Sequence, residues 1–164
     1  MAIRNIVKAV IKFKEFSVKQ LMLLTWWCAN SPYRHYTGII ADGSIRAGKT
    51  VAMAMSFVFW AMSTFDAYQF AMCGKSVGSF RRNVWSWLRP VLKIRGYHVE
   101  EVRNENLIII SRKGKANYFY VFGGRDESSQ DLIQGMTLAG VFFDEVALMP
   151  ESFVNQATGR CSVE

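Results

Sequence analysis

Eight consecutive residues, Gly43-Ser-Ile-Arg-Ala-Gly-Lys-Thr50, follow the spacing G-x-x-x-x-G-K-[ST]. The pattern has a physical logic. Glycines at both ends of the loop let the backbone wrap tightly, so that successive N–H groups converge on phosphate oxygens. Lys49 then meets the β- and γ-phosphates as a point charge, and the Thr50 hydroxyl is a ligand for Mg²⁺. Gly43, Ser44, Ile45, Arg46, Ala47, Gly48, Lys49 and Thr50 are therefore the candidate phosphate-binding set, with Arg46 a second cation inside the loop. A second constellation lies far downstream, where the apolar run Val141-Phe-Phe ends in Asp144 and Glu145. Burying unpaired carboxylates is costly, so two acids closing a buried strand need a reason. Asp144 is placed to help hold Mg²⁺, and Glu145 to orient or deprotonate an attacking water. Either motif alone has a plainer reading, a glycine turn with a surface lysine or an exposed acidic strand end. Together they point to Mg²⁺-dependent hydrolysis of ATP.

Such a loop needs a strand before it and a helix after it. Tyr36–Asp42 reads as a short buried strand, and Thr50–Phe65, free of charge, Gly and Pro, reads as the helix. That helix directs the positive end of its dipole at the loop. Met1–Phe16 mixes basic and apolar residues at amphipathic spacing, and Ser17 is an N-cap for a helix over 18–28. Further strands are expected at 67–73, 97–102, 107–111, 117–122 and 138–143. Helices are expected at 77–94, with Pro90 a point of kinking, and at 131–135 and 150–157. Arg81, Arg82, Arg89 and Lys93 line one side of the 77–94 helix, as a solvated face or as a patch for DNA or a neighbour. The alternation predicts an α/β fold. Its sheet is mostly parallel, carries an antiparallel strand insertion and is flanked by helices on both faces, with the site at the strands' carboxyl ends.

Composition agrees with a single folded domain. The 164 residues are 51% hydrophobic and 20% charged, and the formal charge of +7 suits an anionic partner. Three dispersed cysteines, Cys28, Cys73 and Cys161, support neither a disulfide framework nor a zinc site and read as buried free thiols. His35 and His98 have no ligand-like partners in the pattern. No stretch reaches the ~20 apolar residues of a membrane span, and the N-terminus has no signal-peptide character.

Taken with Gln20, the Arg-bearing loop, Phe142-Phe-Asp-Glu-Val-Ala147 and Arg160-Cys-Ser, the chain resembles the N-terminal ATPase of large terminase subunits, the DNA-packaging motors of tailed bacteriophages. The resemblance covers nearly the whole chain. It implies a P-loop ATPase core of the additional-strand, catalytic-glutamate type, working on double-stranded DNA in the host cytoplasm. The portal, the small terminase subunit and a homo-oligomeric ring are its implied partners. By the same resemblance Gln20 matches the adenine-reading glutamine, whose amide complements adenine N6 and N7; as a residue it reads equally as a solvated helix position. Arg125 and Arg160 are candidates for an arginine acting on a neighbouring subunit. Large terminases continue into a coupling motif and a metal-dependent nuclease, so residues 1–164 are expected to be one ATPase domain without nuclease activity. The alternatives are another nucleic-acid motor of helicase type, or a piece that binds nucleotide without efficient turnover.

Overall fold

Two-residue alternation sorts the side chains of one sheet onto two faces, each covered by helices. The computed structural model describes residues 15–44, 47–125 and 127–163. The expected amphipathic helix at the N-terminus, and Ile45 and Arg46 of the loop, lie outside them. Elements follow in the order α1 (Val18–Thr25), α2 (Lys49–Thr64), β1 (Gln69–Gly74), α3 (Val77–Phe80), a π-helical turn (Arg81–Trp85), α4 (Ser86–Ile94), β2 (His98–Val102), β3 (Leu107–Arg112), β4 (Lys115–Gly123), α5 (Glu127–Gln134), β5 (Gly140–Phe143) and α6 (Glu151–Gly159).

The sheet order is β2-β3-β4-β1-β5. β1 runs parallel to both β4 and β5, while β2, β3 and β4 form an antiparallel meander. The sheet is thus evenly mixed rather than mostly parallel. Short connections enforce this: Lys113-Gly114 between β3 and β4, and 103–106 between β2 and β3, join only antiparallel neighbours. Phe70, Met72, Phe119, Val121 and Phe142 face α2, α3 and α4 in the larger core. The alternate residues Ala71, Cys73 and Phe122 pack with Ile133 of α5 and Phe153 of α6 in a second core on the opposite face. β1 is the switch point, since the chain leaves it over one face and returns from β4 over the other. In open α/β sheets ligands bind beside the carboxyl end of such a strand.

One expected strand is absent. Residues 36–42 pair with none of the five strands, and Ile40 is 91% exposed. Apolar composition cannot make a strand where no neighbour offers N–H and C=O partners. Helix 18–28 stops at Thr25, and the brief helix expected at 131–135 begins earlier, at 127. The thiols are free, but only Cys73 is fully buried; Cys161 is exposed. In the 77–94 run, the irregularity falls ahead of Pro90, where the Ser86 N–H donates to Arg81 C=O five residues back.

Gly140 sets how closely β5 approaches α2. A Cβ there would lie 2.7 Å from Trp60 Cζ3 and 3.3 Å from Phe57 Cε2. Those rings are themselves locked against Phe70 and Phe142. Gly140→Ala is therefore expected to lower unfolding stability by about 1–3 kcal/mol, the usual cost of overpacking a core. Denaturant unfolding of the two proteins checks this; equal midpoints would show that the rings yield freely.

Candidate functional site

Lys49 turns back onto the first residues of its own loop. Lys49 Nζ donates to the carbonyls of Gly43 (2.6 Å) and Ser44 (2.7 Å). Asp42 accepts from the Gly43 N–H at 2.7 Å, steadying the start of the turn. Gly48 is in the left-handed region at φ +74° and caps α2, a conformation that disfavours a side chain. A Cβ there would also come within 2.5 Å of Gln20 Nε2, so the amide would have to give up its place beside the loop. Among the described residues this ammonium is held by exposed backbone carbonyls alone, which it can leave for a stronger anion.

Gln20 reaches this loop from α1. Its Nε2 donates to Ala47 C=O at 2.8 Å, and its Oε1 accepts from the Ser17 N–H at 2.8 Å. Ser17 Oγ returns the bond by accepting from the Gln20 N–H, completing a capping box. Both ends of the amide are therefore engaged, one in starting α1 and one in holding the loop. The Ser-x-x-Gln spacing carried the signal for the first bond, but no local pattern revealed the second.

The second constellation meets the first across 94 residues of sequence. Alternation along β5 puts Phe142 and the following Asp144 on the α2 side of the sheet, where Thr50 begins the helix. Thr50 Oγ1 donates to Asp144 Oδ1 at 3.1 Å. The Asp144 N–H donates to Cys73 C=O at 2.8 Å, so the acid remains tied to the end of β1. Asp144 is only 8% exposed. Burial raises its carboxyl above the ordinary range; the Thr50 hydrogen bond opposes this, and the neighbouring Glu145 charge adds to it. A desolvated carboxylate beside a hydroxyl is a hard-oxygen pair suited to a small divalent cation.

Glu145 departs from the strand. Its backbone is left-handed (φ +57°, ψ +53°), and its carbonyl accepts from the Leu148 N–H at 2.9 Å as the chain enters a 3-10 turn over Val146–Leu148. For a residue with a side chain this costs about 1–2 kcal/mol. The turn breaks the alternation that would have placed Glu145 on the face opposite Asp144, and leaves it exposed beyond the carboxyl end of β5. Such strain persists only where surrounding structure holds it, as it does at many functional sites. Arg125 and Arg160 are both exposed.

The site thus joins a glycine loop at a helix N-terminus with a strand-end acid pair. The family model "Terminase large subunit, T4likevirus-type, N-terminal" matches residues 40–160. The chain belongs to the large terminase subunit family. The fold of this terminase chain is similar to that of the large terminase of a thermophilic bacteriophage, at 63% identity and a TM-score of 0.89 over 92% of this chain and 37% of that one. The same phage's large terminase is also known in complex with ADP (62% identity, TM-score 0.86, 92% and 37% covered). A further complex of it holds ATP-γ-S (59% identity, TM-score 0.85, 92% and 36% covered). The ATPase domain of the Thermus phage P74-26 large terminase shares the fold at 17% identity and a TM-score of 0.57, with 92% and 66% covered. No curated protein matches the chain. The terminase chain spans little more than a third of the length of the thermophilic phage protein. Among the described residues, no helix is long and apolar enough to cross a membrane, and no group of three or more His, Cys, Asp or Glu side chains is gathered as a metal cluster.

Proposed function

We propose that this terminase chain is a P-loop ATPase domain of the additional-strand, catalytic-glutamate type that drives double-stranded DNA into a capsid. The single observation that carries the reading is the Thr50–Asp144 hydrogen bond, which unites the two halves of a Mg²⁺–nucleotide site. In this reading residues 43–50 cradle the phosphates. Lys49 leaves the Gly43 and Ser44 carbonyls for the β- and γ-phosphate oxygens, and Arg46 adds a second positive charge. Thr50 and Asp144 hold Mg²⁺, which when bound neutralises charge on the phosphate oxygens. Glu145 takes the proton of the attacking water, from a position outside the strand that only its left-handed backbone allows. Gln20 links α1 to the loop, so that reading adenine would require its amide to exchange Ala47 or Ser17 for the base. Portal, small terminase subunit and a homo-oligomeric ring are the proposed partners, and the host cytoplasm the site of action.

Asp144→Asn tests the metal half of the site. The amide can still accept from Thr50, so the fold is expected to survive. ATP-γ-S binding measured by calorimetry across a Mg²⁺ titration should lose most of its metal dependence, about a tenfold effect for one charged contact. An unchanged Mg²⁺ response would remove Asp144 from the site.

A further inference from the structure

The arginines of the 77–94 helix do not form a plain solvated face. Glu101 of β2 is the hub of a cluster, its side chain only 10% exposed. Arg81 Nη1 lies 3.1 Å from Glu101 Oε2, Arg89 Nε 3.2 Å from Oε1, and Arg103 Nε 3.9 Å from Oε2. The π turn makes this convergence possible. On a regular helix, eight residues would separate Arg81 from Arg89 by about 80°; the extra residue of the π turn reduces that to roughly 20°. Together with Lys93 and Trp85, these groups line a cleft of about 520 Å³.

Charge in the cleft does not balance. Arg81, Arg89, Lys93 and Arg103 bring four positive charges against Glu101, the one acid of the lining among the described residues. Arg81 uses a further donor on Asn106 Oδ1. Arg89 and Arg103 are 45% and 80% exposed and keep most of their five N–H donors for other partners. Trp85 is 4% exposed, and its buried Nε1–H has no hydrogen-bond partner among the described residues. The surplus guanidinium donors call for a ligand that accepts hydrogen bonds and carries negative charge. Phosphate is such a ligand, and arginine forks match its geometry in pairs.

We infer that this cleft is a phosphate-binding site separate from the 43–50 loop. Its ligand is a phosphate group, whether the phosphodiester of a DNA strand or a free phosphate. Glu101 is on the same sheet face as Phe70 and Asp144, and four strand spacings put β2 about 19 Å from β5. The inference therefore stands without the nucleotide reading, and a change here leaves the 43–50 loop untouched.

The test follows the Trp85 indole N–H signal in ¹H–¹⁵N spectra of the whole chain, assigned by its loss in Trp85→Phe. Inorganic phosphate and a duplex of about 20 base pairs are titrated separately at low salt. Each titration is repeated in Lys49→Ala, which keeps loop binding out of the reading. The indole signal should move with at least one ligand. Arg89→Gln combined with Arg103→Gln leaves the Arg81–Glu101 pair in place and should weaken that binding about tenfold or more. In the DNA arm the same pair should lower the salt slope by about two. Glu101→Gln, which removes the competing carboxylate, should strengthen binding. A response to DNA alone identifies the backbone as the source, and a response to phosphate as well identifies a free-phosphate site. An indole signal unmoved by both ligands, or equal affinities for the parent and the double variant, overturns the inference.

Discussion

Glu145→Gln is expected to bind ATP-γ-S as the parent does and to lose ATP hydrolysis by about 10²–10⁴-fold, the contribution of a positioned general base. The substitution keeps length and polarity and removes only the capacity to take a proton. The structure adds a second variant that separates chemistry from folding. Because Glu145 sits at φ +57°, Glu145→Gly relieves about 1–2 kcal/mol of backbone strain, offset in part by the ~0.4–1 kcal/mol of freedom that glycine gives the unfolded chain. Glu145→Gly should thus be at least as stable as the parent and as inactive as Glu145→Gln. Phosphate release and thermal unfolding, measured on all three proteins, give the comparison. Hydrolysis by Glu145→Gln at the parent's rate would end the assignment of the base. A marked loss of stability in Glu145→Gly would show that the carboxylate holds the fold rather than the reaction.

Lys49→Ala is expected to cost about 1.5–3 kcal/mol of nucleotide affinity, roughly tenfold to more than a hundredfold, the range for hydrogen bonds to charged groups. The structure says why stability should hardly change. The partners Lys49 abandons are the carbonyls of Gly43 and Ser44, both exposed and able to take water instead. A lysine ion-paired in the core would have behaved differently, because its removal strands a buried charge. Calorimetry with ADP and with ATP-γ-S is the measurement, and the ratio of the two losses is informative. Because Lys49 is proposed to meet the γ- as well as the β-phosphate, ATP-γ-S should lose more than ADP. Equal affinities for parent and variant would remove the loop from nucleotide binding altogether.

Local order sufficed for much of this. The phosphate-binding candidates are adjacent in the chain, so their spacing alone proposes the loop. The apolar run along 138–143, and the uncharged helical run after the loop, placed a strand and a helix that the structure contains. Ser17 could be read as a cap because its bond to the Gln20 N–H closes within three residues, whereas the part Gln20 plays in the same cap was not read. What the sequence could not supply was partnership. The segment 36–42 has strand-like composition and forms no strand, since only a neighbouring strand can satisfy its backbone. Thr50 and Asp144 are 94 residues apart, and their contact depends on β5 lying beside β1 under α2. Glu145 looked like the next strand residue, and a left-handed turn took it out of the strand. Arg81 and Arg89 looked like one side of a solvated helix. A single π turn, invisible to periodicity, rotated them onto a carboxylate brought there by a different strand. Short-range patterns report how each segment can fold, whereas the chemistry of a site depends on which distant segments arrive at the same place.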